Sequence, residues 1–312
     1  TYNVGIDYAF YGDRLTGSFE LYQRLTKDLL NFVPLAAGTN LSNQGNVNVG
    51  DMENRGFEVS VNAVPWRRAN GEWSVGVNFT RNKNEITRLT ATEDPDYIGV
   101  ATGGISGGVG NQVQIHSVGF PASTFYLYEQ VYDDQGVPIE ALYVDQNGDG
   151  VINAQDLKRE ENPAPDAFFG ITSNFNYGNF DFSFAGRANI GNYIYNNTLS
   201  TLADYARLYN STNYLLNVHE DTRFIDFNSP RYFSDYYLQN GSFFRLDHIT
   251  VGYRINNLFG ADSGRSLRIY GTMQNPFVIT NYEGIDPEVF GGIDNNIYPR
   301  SRTILFGVNL NL

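Results

Sequence analysis

The stretch TILFGVNLNL, residues 303–312, alternates apolar and polar side chains along most of its length. Successive side chains of a β-strand point to opposite faces, so this segment has one apolar face. That face carries Ile304, Phe306, Val308, Leu310 and Leu312. A soluble domain seldom ends on an apolar edge strand, because its unpaired backbone invites aggregation, whereas a closed barrel pairs its last strand with its first. We therefore expect an all-β fold, a transmembrane antiparallel β-barrel.

The same alternation recurs along the chain, in Tyr2–Phe10, Gly56–Ala63 and Trp73–Thr80. Turn residues separate the segments, at 12–14 and at 67–71. We predict that the apolar positions of these strands face lipid and that their alternates face the lumen. The positions assigned to lipid are Phe57, Val59, Val61, Trp73, Val75, Val77, Ile304, Phe306 and Val308.

Further strands are predicted at 15–22, 169–177, 180–190, 243–255 and 267–273. The chain then supplies about ten antiparallel strands, fewer than half of a large transporter barrel. The alternation typical of a strand is already present from Tyr2, and no basic, apolar leader precedes it. We therefore expect residues 1–312 to be the C-terminal part of a longer protein.

Composition supports a membrane barrel and excludes several other classes. Tyr and Phe each occur 22 times among 312 residues, which suits the aromatic girdles of a barrel. There is no apolar run of 18 residues, so helical membrane spans are excluded. The chain has no cysteine, which excludes disulfides and thiol catalysis. Its net charge of −13 opposes a general attraction to nucleic acid.

Three long segments read as loops between strands. Residues 32–48 contain Gly, Asn and Pro and are too long for a hairpin, so we expect an outer loop. Residues 87–124 include the Gly-rich run 103–110, and loops are expected to dominate there. Residues 199–216 show a loosely helical spacing, which predicts a short helix in an outer loop.

The sharpest local motif is DQNGDGVINAQD, residues 145–156. Its oxygen-bearing residues, with a Gly at the sixth position, match the twelve-residue calcium loop. The predicted ligands are Asp145, Asn147, Asp149, the Val151 carbonyl, Asn153 directly or through water, and Asp156. Asp156 replaces the usual Glu, which lowers the expected affinity, and the alternative is a turn that binds nothing. We expect a structural Ca²⁺, because no base or open coordination position is evident for catalysis.

Other candidate chemistry is weaker. Gly104-Ile105-Ser106-Gly107-Gly108 matches a nucleophile elbow, but no helical pattern follows it. His116, His219 and His248 share no metal-ligand spacing, and nothing selects a catalytic pair among the carboxylates. Aromatic residues of the outer loops could stack on a ligand, which is a minor alternative. These residues are Tyr205, Tyr209, Tyr236 and Tyr237.

Several phrases together resemble the SusC/RagA-type TonB-dependent transporters of Bacteroidetes outer membranes. They follow the family's order from end to end, and the combination is more specific than any one phrase. The phrases are LYQRLTKDLL (21–30), GDMENRGFE (50–58), residues 78–86, SFFRLDHITVGY (242–253), QNPF (274–277) and YEGIDPEV (282–289).

The resemblance implies a barrel of about 22 strands filled by an N-terminal plug. It also implies location in the outer membrane of a Gram-negative bacterium, energy from TonB, and a SusD-like surface lipoprotein as partner. The plug, the TonB-binding segment and the first strands are absent from this chain. Leu312 stands where an aromatic residue commonly closes such barrels.

We therefore expect part of an importer of oligomeric nutrients, glycans or peptides, in contact with outer-membrane lipid and without covalent catalysis. Three alternatives remain. A transporter-shaped structural subunit of a larger assembly would share these phrases. A barrel-embedded surface hydrolase would need a converging triad or carboxylate pair. A calcium-dependent adhesion or dockerin-like module would carry the calcium loop twice, with helices behind each copy.

Overall fold

The computed structural model describes residues 1–34, 38, 41–42, 44–91, 96–208, 214, 216–257, 260 and 264–311. The strands are β1 (Tyr2–Phe10), β2 (Leu15–Pro34), β3 (Gln44–Arg68), β4 (Gly71–Arg88), β5 (Val100–Gly104), β6 (Gln112–His116), β7 (Thr124–Leu127), β8 (Gln130–Tyr132), β9 (Pro138–Tyr143), β10 (Lys158–Glu160), β11 (Ala167–Tyr177), β12 (Phe180–Ile190), β13 (Tyr193–Tyr195), β14 (Leu238–Asn240), β15 (Phe243–Asn256), β16 (Ser266–Thr280) and β17 (Thr303–Asn311). The helix α1 spans Asn197–Leu202, and short 3₁₀ helices span Ala154–Asp156, Tyr205–Arg207, Glu220–Arg223, Asp235–Tyr237 and Phe290–Gly292. Leu312 and Tyr209 lie outside the described residues.

Nine of the described strands form one antiparallel sheet in the order β1-β2-β3-β4-β11-β12-β15-β16-β17. Each strand pairs with the next sheet strand in the chain, which is the up-and-down topology of a barrel wall. The predicted all-β antiparallel fold is confirmed. Of the stretch 199–216 predicted to contain a short helix, residues 199–202 lie in α1, which begins at Asn197, and Tyr205–Arg207 form a 3₁₀ helix.

Connections of two lengths alternate along the sheet. At one end β1 turns into β2 through 11–14, β3 into β4 through 69–70, and β11 into β12 through 178–179. At the other end the connections include 89–166, 191–242 and 281–302. In outer-membrane barrels the short turns are periplasmic and the long loops extracellular, so the second end is the outer end.

The register gives the sheet an apolar face and a polar face. One row on the apolar face joins Ile6, Phe19, Val59, Phe79, Phe169, Ala188, Phe244 and Ile279 across eight strands. The neighbouring row on the polar face joins Asp7, Ser18, Ser60, Asn78, Gly170, Arg187 and Arg245. The apolar positions predicted for lipid therefore share one face, as the alternation requires.

Aromatic side chains of this sheet cover glycines on the neighbouring strand. Tyr22 pairs with Gly56, and a Cβ on Gly56 would collide with the Tyr22 ring and with the carbonyl of Arg81. Tyr270 covers Gly307 in the same way. These glycines are required because the rings lie flat on the backbone of the partner strand.

The paired strands extend further than the sequence predicts. The expectation of a loop over 32–48 is wrong, because β2 continues to Pro34 and β3 begins at Gln44. At about 3.3 Å per residue, a strand the length of β3 is far longer than the bilayer core. Its outer part therefore projects beyond lipid, where no apolar face is needed.

The long outer connections fold into a body of their own, here called the outer-loop body and comprising the described residues of 96–166 and 191–242. Strands β10, β7, β6 and β5 form a four-stranded sheet in that order. The Gly-rich run 103–110 begins in β5 and continues through the connection to β6, and most of the described residues of 87–124 lie outside strands, as expected. Among the described residues, no helix has the length and hydropathy needed to cross a bilayer.

The main buried apolar cluster of the described residues lies in the outer-loop body. Its members contact one another and are almost fully buried: Ile105, Val113, Phe125, Leu127, Tyr195, Leu199, Ala203, Ile225, Phe227 and Tyr237. Lipid solvates the apolar face of a barrel, so the sheet needs no such core, whereas the outer-loop body stands in water and does.

Candidate functional site

The loop 145–156 is built around the carboxylate of Asp145. Asp145 Oδ1 accepts from Gly148 N at 2.7 Å and Oδ2 accepts from Gly150 N at 2.7 Å. Both glycines have positive φ, at 74° and 79°, which turns their amides inward. The hydrogen bond from Gly150, followed by that from Gly148, holds the pKa of Asp145 below its usual range.

The remaining predicted ligands continue the same turn. Asn147 Oδ1 accepts from Asp149 N at 2.9 Å, and Asp149 Oδ1 accepts from Val151 N at 2.8 Å. The Val151 carbonyl accepts from Asn153 Nδ2 at 3.1 Å. Asp156 is fully buried, and its Oδ2 accepts from Asn153 N at 2.8 Å. The structure thus brings all six predicted residues into one compact loop.

The oxygens of this loop are engaged with backbone amides. Across the described ranges, no group of three or more His, Asp or Glu side chains is arranged to hold a metal ion. The donor set, which consists of carboxylates, amide oxygens and one backbone carbonyl, nevertheless has the chemistry of a hard-cation site. Calcium binding by this loop stays a prediction.

A half-buried carboxylate cluster lies beside the loop and was not predicted. Lys158 Nζ lies 3.0 Å from Glu129, 3.2 Å from Glu160 and 3.8 Å from Asp235. Burial, followed by the charge of Asp235, raises the pKa of Glu160 to about 7. Gln146, in the loop, donates to Glu129 at 3.0 Å, which joins the cluster to the loop. One cation cannot neutralise three carboxylates, so Glu160 retains a proton near neutral pH.

The weaker candidates have structural roles. Ser106 follows strand β5, the next element is the strand β6 rather than a helix, and its hydroxyl contacts the amide of Asn197. His116 Nδ1 accepts from Ser123 N at 3.0 Å, and burial lowers its pKa. His219 caps a 3₁₀ helix, and Tyr237 is 1% exposed in the buried cluster. Tyr237 is therefore unavailable for stacking on a ligand.

The polar face of the sheet carries a groove of about 360 Å³. Hydroxyl and amide side chains alternate there with glycines that leave the backbone uncovered. Its lining includes Ser60, Asn62, Asn78, Thr172 and Asp247, with Gly76, Gly170 and Gly186 between them. Such a surface offers several hydrogen-bond donors and acceptors, which can bind a hydrophilic solute.

Comparison with known proteins gives consistent matches. A family model described as "TonB dependent receptor-like, beta-barrel" matches residues 1–134. Over 99% of its length the chain is 43% identical to the TonB-dependent receptor SusC of Bacteroides thetaiotaomicron. Over the same share it is 31% identical to the TonB-dependent receptor P3 of Formosa agariphila. It covers 31% and 33% of those two proteins, about a third of their length.

Solved structures agree at the level of the fold. The structure of the RagAB peptide transporter superimposes with a TM-score of 0.76 at 23% identity. The match covers 99% of this chain and 34% of that one. The RagAB peptide importer in its "closed-closed" state gives the same TM-score at 22% identity. A nine-stranded wall with long outer connections is therefore a segment of a larger barrel of this kind.

Proposed function

Because the chain belongs to the SusC/RagA-type TonB-dependent receptors, which are outer-membrane β-barrels of Gram-negative bacteria, we propose that the whole protein imports an oligomeric nutrient. This chain supplies part of the barrel wall and several outer loops. TonB delivers energy through the N-terminal region, and a SusD-like lipoprotein binds at the outer surface. Because the chain spans a third of its relatives, import, substrate and both partners are proposals for the whole protein.

The observation that carries the proposal is the division of the sheet into two faces. The apolar face suits lipid, and the polar face with its groove suits a hydrated solute crossing the lumen. The groove contains hydroxyls and amides, which can bind the hydroxyls of a glycan or the backbone of a peptide. No covalent step is needed, and the relatives carry the names of receptors rather than enzymes.

Uptake experiments in the native organism test the proposal. Deletion of the gene is expected to abolish growth on one class of oligomer, and the intact gene is expected to restore it only where TonB is active. The intact protein is also expected to copurify with a lipoprotein. Undiminished growth of the deletion strain on every oligomer, with an assembled outer-membrane complex lost instead, would favour the structural-subunit alternative.

We propose further that loop 145–156 binds a structural Ca²⁺ through the six predicted residues. Asp145, Asp149 and Asp156 supply three carboxylates that would otherwise repel one another. Mg²⁺ fits less well, because it retains its waters and demands a tighter octahedron. The ion orders a surface loop, so its removal should loosen the outer-loop body without unfolding the barrel.

Terbium luminescence and limited proteolysis of the full-length protein test the calcium site. Asp145→Asn is expected to weaken terbium binding and to mimic the proteolysis pattern seen with chelator. Asp134→Asn, an exposed neighbour outside the loop, is the matched control and should change neither. Terbium binding that is equal in the two variants would reject the site.

A further inference from the structure

Two arginines of the polar face lie directly opposite each other. Arg187 of β12 and Arg245 of β15 are register partners near the outer ends of their strands. Like charges in this position destabilise a sheet unless anions lie between them. The anions come from the segment 281–302, the outer connection from β16 to β17, which folds back onto the polar face.

One carboxylate oxygen of that segment contacts three guanidinium groups. Glu288 Oε2 lies 2.9 Å from Arg245 Nε, 3.0 Å from Arg187 Nη2 and 3.2 Å from Arg300 Nη2. Asp286 Oδ1 accepts from Arg245 Nη2 at 2.7 Å. Arg187, Arg245 and Arg300 are here called the arginine nest.

The nest has a buried floor and an open rim. The side chains of Arg245 and Asp286 are 4% and 6% exposed, whereas those of Arg187 and Arg300 are 41% and 45% exposed. Arg187 Nε and Arg245 Nε are buried without a hydrogen-bond partner, since Glu288 approaches Arg245 Nε off the hydrogen-bond direction. The donors of the nest are thus only partly satisfied by Glu288, and its rim can be reached from the polar face.

The net charge of the nest suits a single monoanion. Asp286 and Asp247, which lies 3.3 Å from Arg187 Nη2, offset two of the three guanidinium charges. One positive charge remains for Glu288 or for a carboxylate that replaces it. Asp247 also lines the polar groove, so the nest and the groove are continuous.

We propose that the arginine nest recognises a carboxylate group of the imported oligomer and that Glu288 is its resident competitor. The inference rests on the proposed import function, because it takes the polar face as the path of the substrate. A carboxylate fits better than a phosphate, because the nest offers one unit of charge and bidentate guanidinium geometry. The source is a uronic-acid residue of a glycan or an acidic side chain or C-terminus of a peptide.

Displacement of Glu288 should also affect the outer-loop body. The far part of segment 281–302 is held there: Asp294 N donates to the carbonyl of Tyr195 at 3.0 Å, and Gln114 Nε2 donates to the carbonyl of Gly291 at 2.8 Å. Segment 281–302 therefore joins the nest to the buried cluster through Tyr195. Occupation of the nest should accelerate hydrogen exchange in 285–290.

Hydrogen-exchange mass spectrometry of the full-length receptor in lipid tests the proposal. The probes are trigalacturonate with its methyl ester, and triglutamate with its triamide counterpart. One acid, or both, is expected to raise exchange in 285–290 on the order of tenfold, whereas the neutral forms have no effect. A response to trigalacturonate identifies a uronic-acid residue as the source of the carboxylate, and a response to triglutamate identifies a peptide.

Variants separate recognition from a structural role. Arg187→Gln should abolish the response to the acid, and Glu288→Gln should raise exchange without probe and strengthen acid binding. Glu283→Gln, on the same segment and bonded to Gln239 outside the nest, is the control. Heat-modifiable migration on gels verifies that each variant barrel is assembled.

Equal responses to acid and neutral probes, or an acid response that persists in Arg187→Gln, would overturn the inference. A receptor that imports its oligomer by TonB but shows no acid response would refute the nest and leave the import function standing. An acid response in a receptor that imports nothing would refute the import function and leave carboxylate binding by the nest standing.

Discussion

Replacing Val75 by Lys tests the assignment of the two faces. Val75 lies on the apolar face, paired with Ala63 on β3 and Ser173 on β11. Asn78, three positions along the same strand, lies on the polar face and is exposed, so Asn78→Lys is the matched control. Both variants add the same charge to one strand, and only the surroundings of that charge differ.

The expected cost follows from the depth of Val75. It lies four residues beyond Gly71, where β4 begins at the short-turn end, or about 13 Å along the strand. A strand tilt of 35–45° reduces this to roughly 10 Å along the bilayer normal, close to the middle of a band about 25 Å tall. A Lys at that depth costs about 2–4 kcal/mol, whereas a Lys in the lumen costs little. Val308, three residues from Asn311 at the same end, is shallower, so its cost should be smaller.

The measurement is denaturant unfolding of the full-length receptor in lipid vesicles. Val75→Lys should lower the free energy of unfolding by the stated amount, Val308→Lys by less, and Asn78→Lys by a few tenths of a kcal/mol. Equal losses for Val75→Lys and Asn78→Lys would show that the faces are assigned wrongly. A larger loss for Val308→Lys than for Val75→Lys would refute the depth argument.

Two further predictions concern single side chains. The pKa of Glu160 rises from 4.5 to about 7 on folding, so its proton stabilises the outer-loop body below pH 4.5 and this contribution, at most about 3 kcal/mol, is lost as pH rises to 7. Glu160→Gln should therefore reduce the fall in exchange protection of β7 and β10 over that range, leaving only the smaller part due to Asp235, whose pKa burial also raises, and an undiminished fall would contradict the cause given. Gly56→Ala should cost about 1–3 kcal/mol in unfolding, because its Cβ meets the Tyr22 ring and the backbone of Arg81. Gly104→Ala, whose Cβ would meet open space, is the control, and equal losses would exclude the aromatic cover as the reason.

The sequence predicts the wall where lipid constrains it. Residues 56–63 and 73–80 alternate strictly, because a polar side chain on the lipid side is costly, and the structure places them on one register. Outside the bilayer that constraint ends. Residues 81–85 continue β4 with polar side chains on both faces, so period-two alternation could not reveal them as a strand. Residues 46–49 of β3 do alternate, but 46–48 lie in the stretch that its Gly, Asn and Pro content assigned to a loop.

One part of the candidate site could be predicted from the sequence and another part could not. The loop 145–156 is predictable because its ligands lie within twelve consecutive residues and every turn contact is local. The arginine nest is not, because Arg187 and Glu288 are 101 residues apart and meet only when β12 pairs with β15. Residues 282–289 were part of the family resemblance in the sequence. No short-range sequence pattern, however, predicted that Asp286 and Glu288 would contact Arg187 and Arg245. Opposed like charges on paired strands are the signal that could have found them once the register was known.

The polar face also determines how the outer-loop body can be attached to the wall. Polar contacts take part in this attachment, among them the hydrogen bond from Ala122 N to Asn84 Oδ1. Ion pairs of the arginine nest therefore contribute to holding segment 281–302 in place. Exposed pairs weaken as salt screens them, whereas the buried pair of Arg245 and Asp286 is screened much less. High salt should therefore loosen the rim of the nest, formed by Arg187 and Arg300, while its floor of Arg245 and Asp286 stays closed.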